Sequence, residues 1–301
     1  MNEIILKVEN LTKKFGTLTA VNNVSFEVRK GQFFAFLGPN GAGKSTTIKI
    51  LTTLLQQDKG NFYLNNQNDD IYIRKNIGVV FQENVLDGFL TVKENLLYRG
   101  ALFLKTREEI IKRYNELKVQ FEFESFENKQ CRFLSGGQAR RVEIAKAFFG
   151  NPEILFLDEP TTGLDPESRK MVWQILDELR KQKNTTIFLT THYMEETNDA
   201  DYVVIINKGK IVANGSPYEL KETFAKDVFK VVPNNKAEYA NYLKAKNITH
   251  KKIADSYVVY GKDNRECLDI LIENKENIKQ FELIKGTMDD VFIHVVEGGK
   301  K

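Results

Sequence analysis

Along the N-terminal part of the chain, short unbroken apolar runs alternate with segments in which apolar residues recur at helical spacing. Residues 4–8 and 24–28 read as β-rich, and the run 33–37 (Phe-Phe-Ala-Phe-Leu) leads into a glycine-rich turn and a helix starting near Lys44. Further runs at 77–80, 154–157, 186–189 and 202–206 are mostly apolar at successive positions. Strands that hide both faces belong in the centre of a covered, largely parallel sheet, so the pattern predicts an α/β core. Between 77–80 and 154–157 lies the stretch 92–149, where Val142, Ala145 and Phe149 keep helical spacing; a helical subdomain, about 91–150, is expected there as an insertion. After Gly215, Ser216 and Pro217 a helix-like segment follows, and the pattern then changes to strands at 228–232, 248–253, 257–260 and 281–284 with helices from Lys236 and from Arg265. This β-α-β-β-α-β order suggests a small ferredoxin-like α+β domain. It closes on an amphipathic helix, with Met288, Val291, Phe292 and Val295 at i, i+3, i+4 and i+7. The expected domains are 1–225 and 226–301.

Composition narrows the class. A chain of 301 residues suits one ordinary core plus a smaller appendage, and 42% hydrophobic with 28% charged residues is the balance of a globular protein. Lysine plus arginine exceed aspartate plus glutamate by only 44 to 41, which points to no nucleic-acid partner. The two cysteines, Cys131 and Cys267, stand far apart without metal-ligand spacing and are expected to be inert thiols in a reducing compartment. The N-terminus lacks a basic head followed by an apolar stretch, and no apolar run approaches the length of a membrane span, so the chain is expected to be neither secreted nor membrane-spanning.

Three segments carry chemistry. Gly38-Pro39-Asn40-Gly41-Ala42-Gly43-Lys44-Ser45-Thr46 fits the phosphate-binding P-loop and sits between a strand and a helix, as that motif requires. Glycines let backbone amides wrap the phosphates, the helix start favours negative charge, Lys44 adds a cation, and Ser45 offers a hydroxyl to Mg²⁺. An ordinary glycine-rich turn accounts for Gly41 and Gly43 but gives no reason for Lys-Ser-Thr at the helix start. The run 154–157 ends in Asp158-Glu159, read as leaving a buried strand beside the P-loop strand, with Asp158 in the Mg²⁺ shell and Glu159 polarising an attacking water. Standing alone, that pair reads equally as a solvated strand end. Leu134-Ser135-Gly136-Gly137-Gln138 opens a helix, with Ser135 as cap and the glycines leaving amides open to an anion. A second anion site in one domain suggests that ATP is shared between two copies, whereas a plain cap explains Ser135 but not the paired glycines.

LSGGQ between a P-loop and a strand ending in Asp-Glu resembles the ABC ATPase family over roughly residues 1–220. The resemblance implies a P-loop NTPase ABC cassette: a mostly parallel core sheet, an N-terminal antiparallel β-subdomain and an inserted helical subdomain. It also implies that Ser135, Gly136 and Gly137 of one copy meet the γ-phosphate held by the other. Gln82 matches the Q-loop, which senses Mg²⁺ and water and links to the membrane partner. Asp165 in Gly163-Leu164-Asp165 matches the D-loop at the dimer interface, His192 after Thr190-Thr191 matches the switch histidine, and Phe15 matches the aromatic residue that stacks on adenine. Taken singly these four read as a loop polar residue, a helix cap before Pro166, a surface histidine and a core aromatic; their order along the chain favours the family roles. The segment 286–293 (Gly-Thr-Met-Asp-Asp-Val-Phe-Ile) resembles the closing motif of the daunorubicin-resistance and type-2 exporter group, although packing of an amphipathic helix explains its apolar residues as well.

The function implied is ATP hydrolysis with Mg²⁺ as an exporter subunit, partnered by a second cassette, identical or not, and by integral-membrane permease subunits at the inner face of the cell membrane. A soluble ABC ATPase acting on ribosomes or DNA is the alternative, but no tandem cassette, long coiled coil or zinc module marks it. Val85, Leu86, Phe89 and Leu90 are expected either to receive a permease helix or to pack locally.

Overall fold

The computed structural model describes residues 3–225, 227–260 and 264–298. An antiparallel sheet comes first: β1 (Ile4–Phe15) and β2 (Leu18–Arg29) form a long hairpin. Strand β3 (Phe33–Leu37), buried at all five positions, runs into α1 (Lys44–Leu51) through the glycine-rich turn. Strand β4 (Lys59–Leu64) then returns to pair with β1. The entry to β4 turns on Gly60 at φ 83°, where a Cβ would overlap the carbonyl oxygens of Glu9 and Asn10.

Helix α2 (Asp70–Asn76) and strand β5 (Ile77–Val80) lead to the inserted helices α3 (Val92–Gly100), α4 (Arg107–Gln120) and α5 (Gly136–Ala147). Each of the three opens on a capping box, namely Thr91 with Glu94, Thr106 with Glu109, and Ser135 with Gln138. The chain re-enters the sheet as β6 (Ile154–Asp158), crosses through α6 (Pro166–Lys183) and continues as β7 (Thr186–Thr191), β8 (Tyr202–Asn207) and β9 (Lys210–Gly215). The six-stranded sheet has the order β5-β6-β7-β3-β8-β9, with β5 through β8 in parallel register.

This order corrects one expectation. The strand ending in Asp158 is not beside the P-loop strand: β7 lies between them, pairing with β6 at Asp158↔Thr190 and with β3 at Phe36↔Thr190. The crossover through α6 returns the chain alongside the strand it just left, so β7 takes the slot next to β6.

Aromatic packing ties the two sheets together. Phe188 of β7 stacks on Phe34 at 5.0 Å between centroids and meets Phe156 of β6 at 5.2 Å, while Phe26 of the antiparallel sheet lies 5.3 Å from Phe34. Such pairs contribute about 0.5–1.5 kcal/mol beyond their buried area.

The chain divides into two compact units between Asn214 and Gly215, eleven residues before the expected boundary at 225/226. The difference is α7 (Pro217–Phe224), which packs on α10 (Met288–Glu297). Within this second unit, β10 (Val228–Pro233), α8 (Lys236–Ala245), β11 (Thr249–Ile253), β12 (Ser256–Tyr260), α9 (Asn264–Glu273) and β13 (Ile278–Ile284) follow the β-α-β-β-α-β order. The antiparallel sheet order β11-β12-β10-β13 completes the ferredoxin-like arrangement. Its core is built from Phe229, Val231, Tyr239, Leu243, Tyr257, Val259, Cys267 and Ile270. The last helix buries Met288 and Val291, with Phe292 and Val295 half-buried.

Candidate active site

The turn after β3 opens α1 on Gly43, which is left-handed at φ 109°, and no side chain caps the helix. A Cβ at Gly43 would overlap the carbonyl oxygen of Ala20, so the close approach of β2 demands glycine there. Gly38 and Ala42 are buried beneath the turn, Pro39, Ser45 and Thr46 are half-buried, and Asn40 and Gly41 are exposed at its tip. Lys44, only 4% exposed, donates from Nζ to the carbonyls of Gly38 (2.8 Å) and Pro39 (3.2 Å). It also pairs with Glu159 Oε1 at 3.1 Å.

The carboxylates reach this turn from the end of β6. Asp158 Oδ1 accepts from the Ser45 hydroxyl at 3.2 Å and from the Thr190 hydroxyl at 2.6 Å. Glu159 follows with a left-handed backbone at φ 49°, held by its amide donating to the Thr190 carbonyl at 3.1 Å. Its second oxygen, Oε2, lies 2.9 Å from His192 Nδ1 and accepts from the Thr162 hydroxyl at 3.2 Å. Because a carboxylate only accepts, Nδ1 carries the proton and Nε2 of a neutral His192 is left as an acceptor. Lys44, Ser45, Asp158, Glu159 and His192 therefore form one contact network.

Among the described residues no group of three His, Cys, Asp or Glu could hold a metal. The adjacent Ser45 hydroxyl and Asp158 carboxylate nevertheless suit Mg²⁺, which takes few protein ligands and completes its shell from phosphate oxygens and water.

Other expected residues stand apart from this network. Gln82 follows β5 with an exposed side chain, and its carbonyl accepts from Arg140 at 2.9 Å. Phe15 is 48% exposed at the tip of the β1–β2 hairpin, with Lys13 Nζ 5.7 Å from its ring centroid. Ser135 and Gly136 are exposed and Leu134 is half-buried, while Gly137 is buried where a Cβ would overlap Ser168 Oγ of α6. Close packing on α6 thus accounts for Gly137, one of the two glycines that a plain cap leaves unexplained. Asp165 caps α6, accepting from the Ser168 amide at 2.9 Å and hydroxyl at 2.6 Å. Those bonds hold its carboxyl below the usual range. Val85 and Phe89 are 48% and 74% exposed, and Leu86 and Leu90 are half-buried.

Sequence reasoning missed the groups behind the site. Glu196, 6% exposed, accepts from the hydroxyls of Thr161 and Thr191 and so joins the segment after Glu159 to the one bearing His192. Burial pushes its carboxyl above the usual range, against the pull of those hydroxyls. Thr190, read only as a marker before His192, bonds both Asp158 and Glu159. Arg140 and Glu143 beneath Gln82 were not singled out, because no motif marks them.

A phosphate-binding turn, a carboxylate beside its serine, and a second carboxylate joined to a histidine define a P-loop nucleoside triphosphatase. The model of the ABC transporter family matches residues 21–162, and that of the ATP-binding protein DrrA1-3-like C-terminal domain matches 215–296. The chain is 40% identical to the Nod factor export ATP-binding protein I of Ralstonia nicotianae, over 72% of this chain and 68% of that one. It is 33% identical to the daunorubicin/doxorubicin resistance ATP-binding protein DrrA of Streptomyces peucetius, over 96% of this chain and 91% of that one. Among solved structures, a dimeric ATP-binding cassette in a post-hydrolysis state with ADP and Pi superposes at TM-score 0.64 with 31% identity, covering 70% of this chain and 98% of that one. The cbiO1 protein of Clostridium perfringens, part of the cbiONQ transporter complex, gives TM-score 0.68 at 29% identity, covering 81% and 96%. The chain belongs to the ATP-binding subunits of ABC transporters. It is a transporter-type ATPase, not one of the soluble ABC proteins of ribosome or DNA.

Proposed function

We propose that this chain drives export through a separate membrane permease by hydrolysing ATP at sites shared between two cassettes. The observation that carries the chemical part is Glu159 held between Lys44 at 3.1 Å and His192 at 2.9 Å, next to the Ser45–Asp158 pair. Backbone amides of the turn between Gly41 and Thr46, with Lys44, bind the β- and γ-phosphates. Ser45 and Asp158, with Gln82 approaching from its loop, hold Mg²⁺, which supplies charge neutralisation on the phosphates. A triphosphate competes with Glu159 for the Lys44 ammonium. Glu159, freed from that pairing and still anchored to His192, takes the proton of a water aligned with the γ-phosphate. Phe15 stacks on adenine. Ser135, Gly136 and Gly137 of a second copy, flanked by Leu134 and Gln138, close over the γ-phosphate, and Asp165 lies at that interface.

Export is supported by the names of relatives that span most of this chain, one for Nod factor export and one for daunorubicin/doxorubicin resistance. Among the described residues no helix is long and apolar enough to cross a membrane, so force must leave through a contact. The exposed Val85 and Phe89 beside Gln82 offer an apolar surface that a permease helix would cover, which favours the inner face of the membrane as the subunit's location. The proposed domains are the cassette up to Asn214 and an accessory domain from Gly215.

Glu159→Gln tests the chemistry. Turnover should fall by ~10²- to 10⁴-fold while ATP affinity is retained, because the general base is lost and the P-loop is not touched. Unchanged turnover removes Glu159 from the role.

A further inference from the structure

Helix α5 carries the signature at its start and two buried charges one turn further on. Arg140 and Glu143 are 6% and 3% exposed. The Arg140 guanidinium donates to the carbonyls of Phe81 (2.6 Å) and Gln82 (2.9 Å) and pairs with Glu143 at 2.9 Å. Glu143 accepts from the amide of Val85 at 2.8 Å, and Lys146, the next turn along, donates to the Val85 carbonyl at 3.1 Å. One face of α5 therefore grips the main chain from Phe81 to Val85 at both ends.

Stability alone does not call for charges here. Removing two ions from water costs several kcal/mol each, and well-packed apolar residues commonly replace a buried pair without loss. Apolar residues cannot, however, bond the main chain of a loop that has no ladder of its own, and buried carbonyls need donors. The guanidinium fits because its planar fork reaches two adjacent carbonyls and a carboxylate at once. A rigid helical turn separates these groups from Gly136, so displacement of Gln82 is carried directly to the signature.

We propose that Arg140 and Glu143 are positioning residues of the ATPase reaction, locking the main chain at Gln82 to the signature helix so that the chain's own nucleotide site and the face it offers to a second copy shift as one body. The proposal rests on the roles given above to Gln82 and to Ser135–Gly137. It also assigns a task to the pair that neither the P-loop nor the carboxylates perform. ATP binding by the single chain should be indifferent to it, and turnover should depend on it.

The full chain carrying Arg140→Met with Glu143→Leu keeps the volume filled and removes the grip. Turnover should fall about tenfold or more with affinity for a fluorescent ATP analogue changed by less than about twofold, since misplacement by an ångström is enough for such losses. Arg140→Lys, which retains the charge but cannot span both carbonyls, should show the same split and covers the case in which the double variant folds poorly. Combining either with Gln82→Ala separates coupling from general damage. If the grip acts through Gln82, the combined loss is well short of the product of the separate losses. Full multiplication of the two losses, or normal turnover in the folded double variant, overturns the proposal. Gln82→Ala alone guards the underlying reading: if it leaves turnover unchanged while Arg140→Lys is impaired, the role of Gln82 falls and the hold on the signature stands.

Discussion

Helix α1 begins without a side-chain cap, on a left-handed glycine, whereas α5 begins with both members of a capping box. Around the first lie Lys44, Glu159 and His192 in one contact chain and Ser45 with Asp158 in another, the two joined through Thr190. Around the second, Ser135 and Gly136 are exposed, and the nearest neighbours are Leu164 and Ser168 of the same chain. The box at α5 satisfies the amides of Ser135 and Gln138, so the anion contact proposed for this helix start falls to those of Gly136 and Gly137. The first helix start is furnished with charged and hydroxyl side chains. The second has only amides and an open face, which fits the proposal that it completes a nucleotide site on a second copy.

The strongest way to break this contrast is to show that the signature serves its own chain. Gly136→Glu puts a carboxylate where the γ-phosphate is expected, and turnover should fall by about 10²-fold or more with single-chain ATP affinity preserved. A Lys44→Ala chain is impaired at the other end. If sites are shared, mixing the two defective proteins restores turnover, because each heterodimer holds one site with both parts intact. No recovery on mixing, in chains shown by size measurement to associate, would defeat the shared-site reading.

How much of this was legible follows the same division. The P-loop announced itself because glycine, lysine and serine at that spacing have few other uses, and β3 and β5 were read to their ends because they are apolar at successive positions. Strand β4 was not read as a strand: Lys59-Gly60-Asn61 is polar, and its pairing depends on a backbone turn at Gly60 that composition does not advertise. The neighbour of β6 was misread because adjacency is set by the crossover, not by the strand. Arg140 and Glu143 look like solvent-facing charges in one dimension. Helix α5 is buried nearly all round, Ala139, Val142, Ile144 and Ala145 included, so no polar face exists for them to occupy.

A smaller effect sharpens the nucleotide end. Phe15→Ala removes the stacking face and should weaken ATP binding by about five- to tenfold, on the order of 1 kcal/mol, with the maximal rate little changed. Equal affinity in a titration of both proteins assigns adenine to another residue.

The smallest effect concerns the scaffold between the two ends. Burial raises the Glu196 carboxyl above its unfolded value, so folding makes it easier to protonate. A raised carboxyl contributes stability that is present below the unfolded value near 4.5 and is lost as pH climbs through the folded value. The melting temperature of the unaltered chain relative to Glu196→Gln should therefore improve as pH is lowered from 7 toward 4.5, by a few degrees at most. A flat difference across that window means Glu196 is ionised throughout.

The backbone of Glu159, at φ 49°, has a history to tell. A side chain with a Cβ held in that left-handed conformation costs on the order of 1 kcal/mol, and glycine or asparagine there costs less. Against that backbone cost stands the pairing with Lys44, which is 4% exposed and would be left buried without a counter-charge if the carboxylate were lost. A duplicated copy that lost this carboxylate would gain an easier backbone and keep a buried ammonium without its partner, so drift at this position is opposed by Lys44.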